Sequence, residues 1–323
     1  MKLFWLSLLI FSAAVCGTAV ISRQTTPPLQ STPEEIARLI NECGQRTTAM
    51  AGRLYNYSFN QTDTDEVLDK ANRARSSTSK TYEVFPVAVG RRARFIYVQV
   101  SENGVALSPK KIEEQRQRAA KETEEFEKTA ATPINPTSAY KSSWWSYGIK
   151  VEKHSRLSNT YWYPRPTDFL LSSEFFAPRR VKLDGRETIL LNFRLRPGYV
   201  FDKTNVAYPD GIEDYGRAMS QLAGRIWIDA ADKVIARLEA SPAHEVSTSQ
   251  AGDTPEPDLA LTYQSQRLAN GTWVPAAAHY NSYGREDVFW KTPLKRSLIY
   301  ADFKLFKTTA DVEKLEPASS PTP

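Results

Sequence analysis

The chain has 323 residues, 41% of them hydrophobic, with 42 Lys and Arg against 37 Asp and Glu for a formal charge of +5. The basic residues are scattered among the acids without a dense block, which excludes a nucleic-acid footprint. A chain of this length supports a sizeable core, since a domain near 300 residues buries roughly 75% of the surface that its unfolded chain exposes.

Met1-Lys2 is a short basic start, Leu3 to Val15 is an apolar run, and Gly17-Thr18-Ala19 supplies small residues beyond it. Residues 1–19 therefore read as a secretory signal, too short for a spanning helix of about 20 apolar residues. The expected location is periplasmic or secreted. The alternative is a lipoprotein signal acylated at Cys16, against which Val15 stands where a small residue is the rule. No later stretch is apolar enough to span a bilayer, so the expected association with membranes is peripheral at most. Removing the signal leaves Cys43 as the only thiol, and no intramolecular disulfide is expected.

Residues 20–31 read as a flexible linker. Thr32-Pro33-Glu34-Glu35 then carries an N-cap, a proline at the first helical position and the acid of a capping box. Ile36, Ile40, Cys43 and Thr47 recur at three- and four-residue steps and place Cys43 on the buried side of this helix. A first strand follows, with Tyr55, Tyr57 and Phe59 on one side. In the next, Ile96, Val98 and Val100 alternate with Phe95 and Tyr97, so both sides are expected to be covered. After the turn Glu102-Asn103-Gly104, Ser108-Pro109 opens a charged helix over 108–130 with few apolar residues, Ile112, Ala119 and Phe126. It reads as a solvated strut or flap across the sheet. Its Glu114–Arg118 and Glu124–Lys128 spacings suit weak i, i+4 pairs.

Trp144, Trp145, Tyr147, Tyr161, Trp162 and Tyr163 form an aromatic stretch. It reads either as a wall for an apolar or sugar ligand or as plugs over a sheet, and burial by plugs is the commoner use of aromatics. Asp168 to Leu171 is a single helical turn. Strands then run over Phe175 to Leu183 and Arg186 to Arg196, joined by the hairpin signal Asp184-Gly185. In the second of them Ile189, Leu191, Phe193 and Leu195 share a face. Residues 222–240 form the clearest hairpin, two alternating runs about the polar turn Asp229 to Lys233. Ile226, Ile228, Val234, Ala236 and Leu238 are expected on a single buried face. A surface excursion over 241–258 leads to a further hairpin about Asn270-Gly271, then strands over 285–290 and 297–306, and 307–323 is a polar tail. The result is a single domain over 32–306, a continuous antiparallel meander.

Motifs of catalysis are decoys or missing. Gly211 to Ala218 mimics a P-loop, but Arg217 replaces its lysine and Ala218 its hydroxyl. Asp63-Thr64-Asp65 starts like a calcium loop, but Val67 breaks the ligand alternation and no glycine follows. His154, His244 and His279 are isolated, without a carboxylate or second His at ligand spacing. No cofactor, no metal and no enzyme activity is expected.

Several segments resemble secreted bacterial proteins of the LolA-like superfamily of lipoprotein carriers. They are the helix leading into Leu54-Tyr55-Asn56-Tyr57, the turn Val100 to Ser108, the hairpin Gly185-Arg186-Glu187, the run 224–240 (GRIWIDAADKVIARLEA) and Leu298 to Phe303. The resemblance implies an α+β fold: a curved antiparallel β-sheet, an incomplete barrel, with helices packed on its concave side. It also implies a periplasmic, non-catalytic binding protein that holds acyl chains, a lipoprotein or another apolar ligand under the sheet. The alternative is an envelope interaction, scaffold or sensor protein with an envelope protein as partner and no small-molecule ligand. The ligand-facing candidates are Ile189, Leu191, Phe193 and Leu195, with Tyr55, Tyr57 and Phe59.

Overall fold

The computed structural model describes residues 31–69, 73–89, 92–130, 166–200, 222–242, 261–281 and 294–306. The signal segment, the aromatic stretch 144–163, the P-loop mimic, His154, His244 and most of the 241–258 excursion lie outside them.

Thr32 caps the first helix, α1 (Pro33–Leu54), as the sequence indicates: its Oγ1 accepts from the Glu35 N–H, and Glu35 accepts in return from the Thr32 N–H. The helix runs through Leu54 and ends on Tyr55, so Tyr55 is the helix C-cap and not the first residue of a strand. Cys43, Thr47 and Leu54 are buried along one stripe. Burial pushes the Cys43 thiol pKa up to about 12.

Eleven strands follow: β1 (Tyr57–Leu68), β2 (Ala74–Val89), β3 (Arg92–Glu102), β4 (Val105–Ala106), β5 (Ser173–Leu183), β6 (Arg186–Leu195), β7 (Leu222–Asp229), β8 (Ile235–Pro242), β9 (Leu261–Arg267), β10 (Trp273–Asn281) and β11 (Leu294–Leu305). Two more helices, α2 (Pro109–Ala130) and α3 (Pro166–Ser172), fall between β4 and β5. All strands join one sheet in the order β4-β3-β2-β1-β11-β10-β9-β8-β7-β6-β5, and every neighbour is antiparallel. The meander is thus not continuous in sequence. Two meanders, β1–β4 and β5–β11, are fused by pairing the first strand with the last, and among the described residues β4 and β5 are the edges.

Turn chemistry sets the hairpins. Asn103-Gly104 and Asp184-Gly185 have positive φ at both positions, the type I′ geometry that matches strand twist. The β7–β8 pair comes very close at Gly224, where a Cβ would stand 1.9 Å from the Glu239 carbonyl oxygen. Only glycine fits there.

The hairpin expectation needs one correction. Ile226, Ile228 and Leu238 are fully buried in the central cluster, but Val234 and Ala236 belong to a second cluster with Trp273. A register shift between Trp227 and Ile228 makes Ile228 face Ile235, while Trp227 faces Arg237. A bulge breaks strict alternation, and Ile235 takes the core position that period two assigns to Val234 and Ala236.

The sheet curls. In a flat sheet β6 and β10 would lie about 19 Å apart at a strand spacing of about 4.8 Å. Yet the Arg186 guanidinium of β6 sits 5.6 Å from the Trp273 ring of β10. Between them the 229–233 turn forms an ionic knot at one end of the sheet. Asp229, 1% exposed, accepts from Arg186 Nε and Nη2 and from the N–H groups of Ala231 and Asp232. Asp232 accepts from Arg186, from Arg267 Nε and from Trp273 Nε1.

The concave side carries the main core, in which Phe59, Val84, Phe95, Leu191, Phe193, Ile226, Leu238 and Leu298 pack with Cys43 and Leu54 of α1 and with Phe169 and Leu170 of α3. Not every helix lies there. In β3, Phe95 and Tyr97 turn to the main core, while Ile96, Val98 and Val100 pack with Ala119 of α2. The charged helix therefore covers the outer face, pinned where Arg94 pairs with Glu122 and lies over the Phe126 ring. This is why β3 is apolar on both sides.

Two outcomes follow. Burial opposes ionisation of Asp229, but Arg186 and the turn N–H groups outweigh it and hold the pKa below the ordinary value. A depressed carboxyl pKa contributes stability above the unfolded value, about 3.9, and loses it as pH falls through the folded one. Asp229→Asn is expected to cost about 3 kcal/mol at neutral pH, and its gap from wild type in urea melts should narrow below about pH 4; a gap independent of pH would contradict the charge role. Cys43 should resist thiol reagents in native protein and react only on unfolding, read as labelling rate against denaturant.

Candidate functional groove

A 22-residue helix laid on a sheet this wide buries one stripe and leaves a flank. On α1 that flank is Pro33, Ile36, Ala37, Ile40, Asn41, Gly44, Gln45, Thr48 and Ala49, which repeats at three- and four-residue steps and forms one wall of a groove. From Pro33 to Ala49 the wall is about 24 Å long at about 1.5 Å per residue. The opposite wall is Thr167, Leu170 and Leu171 of α3 with Ser173, Glu174 and Phe175 of β5, and Arg196 follows β6. The open groove has a volume of about 830 Å³, within the range of ligand sites, which are concave and mostly apolar.

Each wall is fixed by packing behind it. The α3 turn is held by Ser172 Oγ donating to the Asp168 carbonyl at 2.6 Å, with Phe169 and Leu170 buried beneath. Phe169 and Phe175 both lean on Phe193, at ring centroid distances of 5.2 and 6.1 Å. Leu171 points away from this support and is 54% exposed. An apolar side chain held in the open, beside half-buried Ile36, Ile40 and Phe175, marks the groove as apolar. The width is set by small residues. A Cβ at Gly44 would lie 3.9 Å from Leu170 Cδ1, an ordinary contact.

The two charged lining residues differ. Glu174 pairs with Arg194, whose guanidinium also stacks over Phe176. Arg196 has its backbone N–H tied to the Ser172 carbonyl at 2.9 Å and its guanidinium near the Ser173 carbonyl and over the Tyr199 ring.

The seven ligand-facing candidates lie elsewhere. Leu191, Phe193 and Phe59 are packed into the main core, with Ile189, Leu195 and Tyr55 half-buried against it. Tyr55 stacks on Phe95 at 4.6 Å. The Tyr57 hydroxyl donates to Thr272 and accepts from Asn270, which ties β1 to the β9–β10 turn. None of the seven lines the groove. Phe193 is the ring behind Phe175, and Leu195 pairs with Ser173 of the lining. Ile36 and Ile40 were legible as a helix stripe, but Ala37, Gly44, Leu171 and Arg196 carry no signal that separates groove from surface.

Two polar regions lie apart from the groove. On the concave face Arg296 pairs with Asp63 at 3.2 Å and Asp65 at 3.3 Å. Burial raises both carboxyl pKa values, and Arg296 opposes the rise. The calcium-like run is thus an extended strand neutralised by arginine. On the outer face, His279 sits in a polar groove of about 300 Å³ with Thr64, Glu66, Thr262 and Ser297. Among the described residues no group of three His, Cys, Asp or Glu is placed to hold a metal ion, and no helix is long and apolar enough to cross a membrane.

No family model matches the chain, and no curated protein matches it. Among solved structures it is similar to an outer membrane lipoprotein-sorting protein domain from Vibrio parahaemolyticus, at 9% identity over 88% of this chain and 98% of that one, with a TM-score of 0.37. A LolA superfamily protein from Nitrosomonas europaea matches at 12% identity over 84% and 96%, with a TM-score of 0.32. A DUF1329 family protein from Desulfovibrio piger matches at 7% identity over 84% and 95%, with a TM-score of 0.33.

Gly44 yields a stability test. Glycine inside a helix costs about 1 kcal/mol relative to alanine, and the added methyl has room. Gly44→Ala should therefore raise stability by about 0.5–1 kcal/mol in chemical denaturation; a loss would mean that α1 and α3 are closer than described.

Proposed function

We propose that this protein is an exported, non-catalytic binding protein that holds an extended apolar chain, of the acyl type, in the groove between α1, α3 and β5. The observation that carries this reading is the long apolar groove with Leu171 exposed in its wall. Its length along α1 suits a linear chain better than a compact ring system. The N-terminal apolar run with small residues after it supports export, and the sequence resemblance to lipoprotein carriers supports an acyl ligand. The ligand differs in place from the sequence expectation: the concave face is filled by Leu191, Phe193, Ile226 and Leu238, so the chain is taken beside the core and not beneath the middle of the sheet.

The test is displacement of a fluorescent fatty-acyl probe from mature protein. Ala37→Trp fills the groove from the exposed flank of α1, and Leu171→Gln removes an apolar contact worth about 1.5–3 kcal/mol when buried by ligand. Each should weaken binding about tenfold or more with the melting temperature held, whereas Lys111→Trp on α2 should leave it unchanged. If wild type ignores acyl probes and purifies without lipid, the carrier reading fails and an envelope interaction protein without a small ligand replaces it.

A further inference from the structure

The charges around the groove say which apolar chain it takes. Its lining holds one acid and one base, Glu174 and Arg196. Glu174 is already matched by Arg194, which reaches it across the β5–β6 pair from outside the lining. Arg196 pairs with no carboxylate among the described residues; its guanidinium meets only a carbonyl at 3.5 Å and the face of Tyr199. The remaining lining is apolar or neutral: Asn41, Gln45, Thr48, Thr167 and Ser173 supply its polar atoms. Arg196 is exposed and anchored through its backbone to Ser172, beside an apolar channel with no other uncompensated charge in the lining, so its guanidinium can meet one anion. Guanidinium binds carboxylate or phosphate through paired N–H donors, a geometry that a hydroxyl or an ammonium head does not match.

We infer that the ligand is an anionic amphiphile, a single apolar chain ending in a carboxylate or phosphate ester, with the chain along α1 and the head on Arg196. The inference rests on the apolar-groove reading and adds the head group to it. It also predicts discrimination: neutral and cationic amphiphiles of equal chain length occupy the same channel without the ion pair.

The experiment titrates mature protein, below micelle concentrations, with four compounds sharing one tetradecyl-length chain: a carboxylate, a phosphate monoester, an alcohol and a trimethylammonium salt. Both anions should bind about tenfold or more tighter than the alcohol, a charge-assisted hydrogen bond being worth about 1.5–3 kcal/mol. The tighter anion identifies the head. Arg196→Gln should bring the anions down to the alcohol's affinity and leave alcohol binding unchanged, while Arg196→Lys restores part of the preference. Added salt should weaken anion binding and spare the alcohol. Equal affinity of wild type for acid and alcohol overturns the head-group inference and leaves the apolar groove standing, as does a preference that survives Arg196→Gln. Failure of all four compounds to bind removes the groove reading itself.

Discussion

A curled sheet of eleven strands with one hydrophobic face must be covered, and α1 is the cover on which the rest depends. Its stripe Cys43, Thr47 and Leu54 closes the concave core, and α3 completes the lid with Phe169 and Leu170. The apolar area between them drives the arrangement, at roughly 25 cal/mol per Å² removed from water. Because a helix is a cylinder, closing the core with one stripe leaves the neighbouring stripe facing sideways. The groove is the geometric remainder of that packing, kept open by Ala37, Gly44 and Ala49 where larger side chains would fill it.

Curvature and its fixation are a second linked pair. Long-range pairing of β1 with β11 makes one sheet of two meanders, and the knot of Arg186, Asp229, Asp232, Arg267 and Trp273 ties strands that a flat sheet would keep apart. Such a knot is costly to desolvate and strongly destabilising to break. Its value lies in geometry: the turn N–H groups and two arginines allow Asp229 and Asp232 one arrangement. Towards the other end of β7, Gly224 tolerates no side chain against the Glu239 carbonyl. Rigid strands then hold β5 and the residue after β6 in place, and with them Phe175, Glu174 and Arg196 of the groove.

The outer face follows a different rule. There α2 meets the sheet through a small apolar contact at Ala119 and the Arg94–Glu122 pair, with Lys128–Glu124 on its solvent side. A helix so rich in charge cannot cover a large core, and it covers only the β2–β3 corner. Its composition announced a solvated helix, but nothing in that composition named the side of the sheet. The 3.6-residue period is blind to which face of a distant strand it will meet.

By itself the sequence determined whatever depends on neighbours along the chain. The capping box at Thr32 and Glu35, the Asp184-Gly185 turn, burial of Cys43 and the double-sided β3 all follow from side-chain periods and turn sterics. The strand β2, with Thr78, Ser79, Lys80 and Thr81 along it, carries no strand signal in its first half, which is polar and gains its place from β1 and β3. Tertiary structure alone decided the rest. A single bulge in β8 moved Ile235 inward and Val234 aside, and no local pattern marks where a ladder slips. It also decided that Leu191, Phe193 and Phe59 serve as packing while Leu171 and Arg196, unremarkable in sequence, face a groove. Alternation tells which residues share a face, but whether that face meets protein or open space depends on a helix packed from elsewhere in the chain.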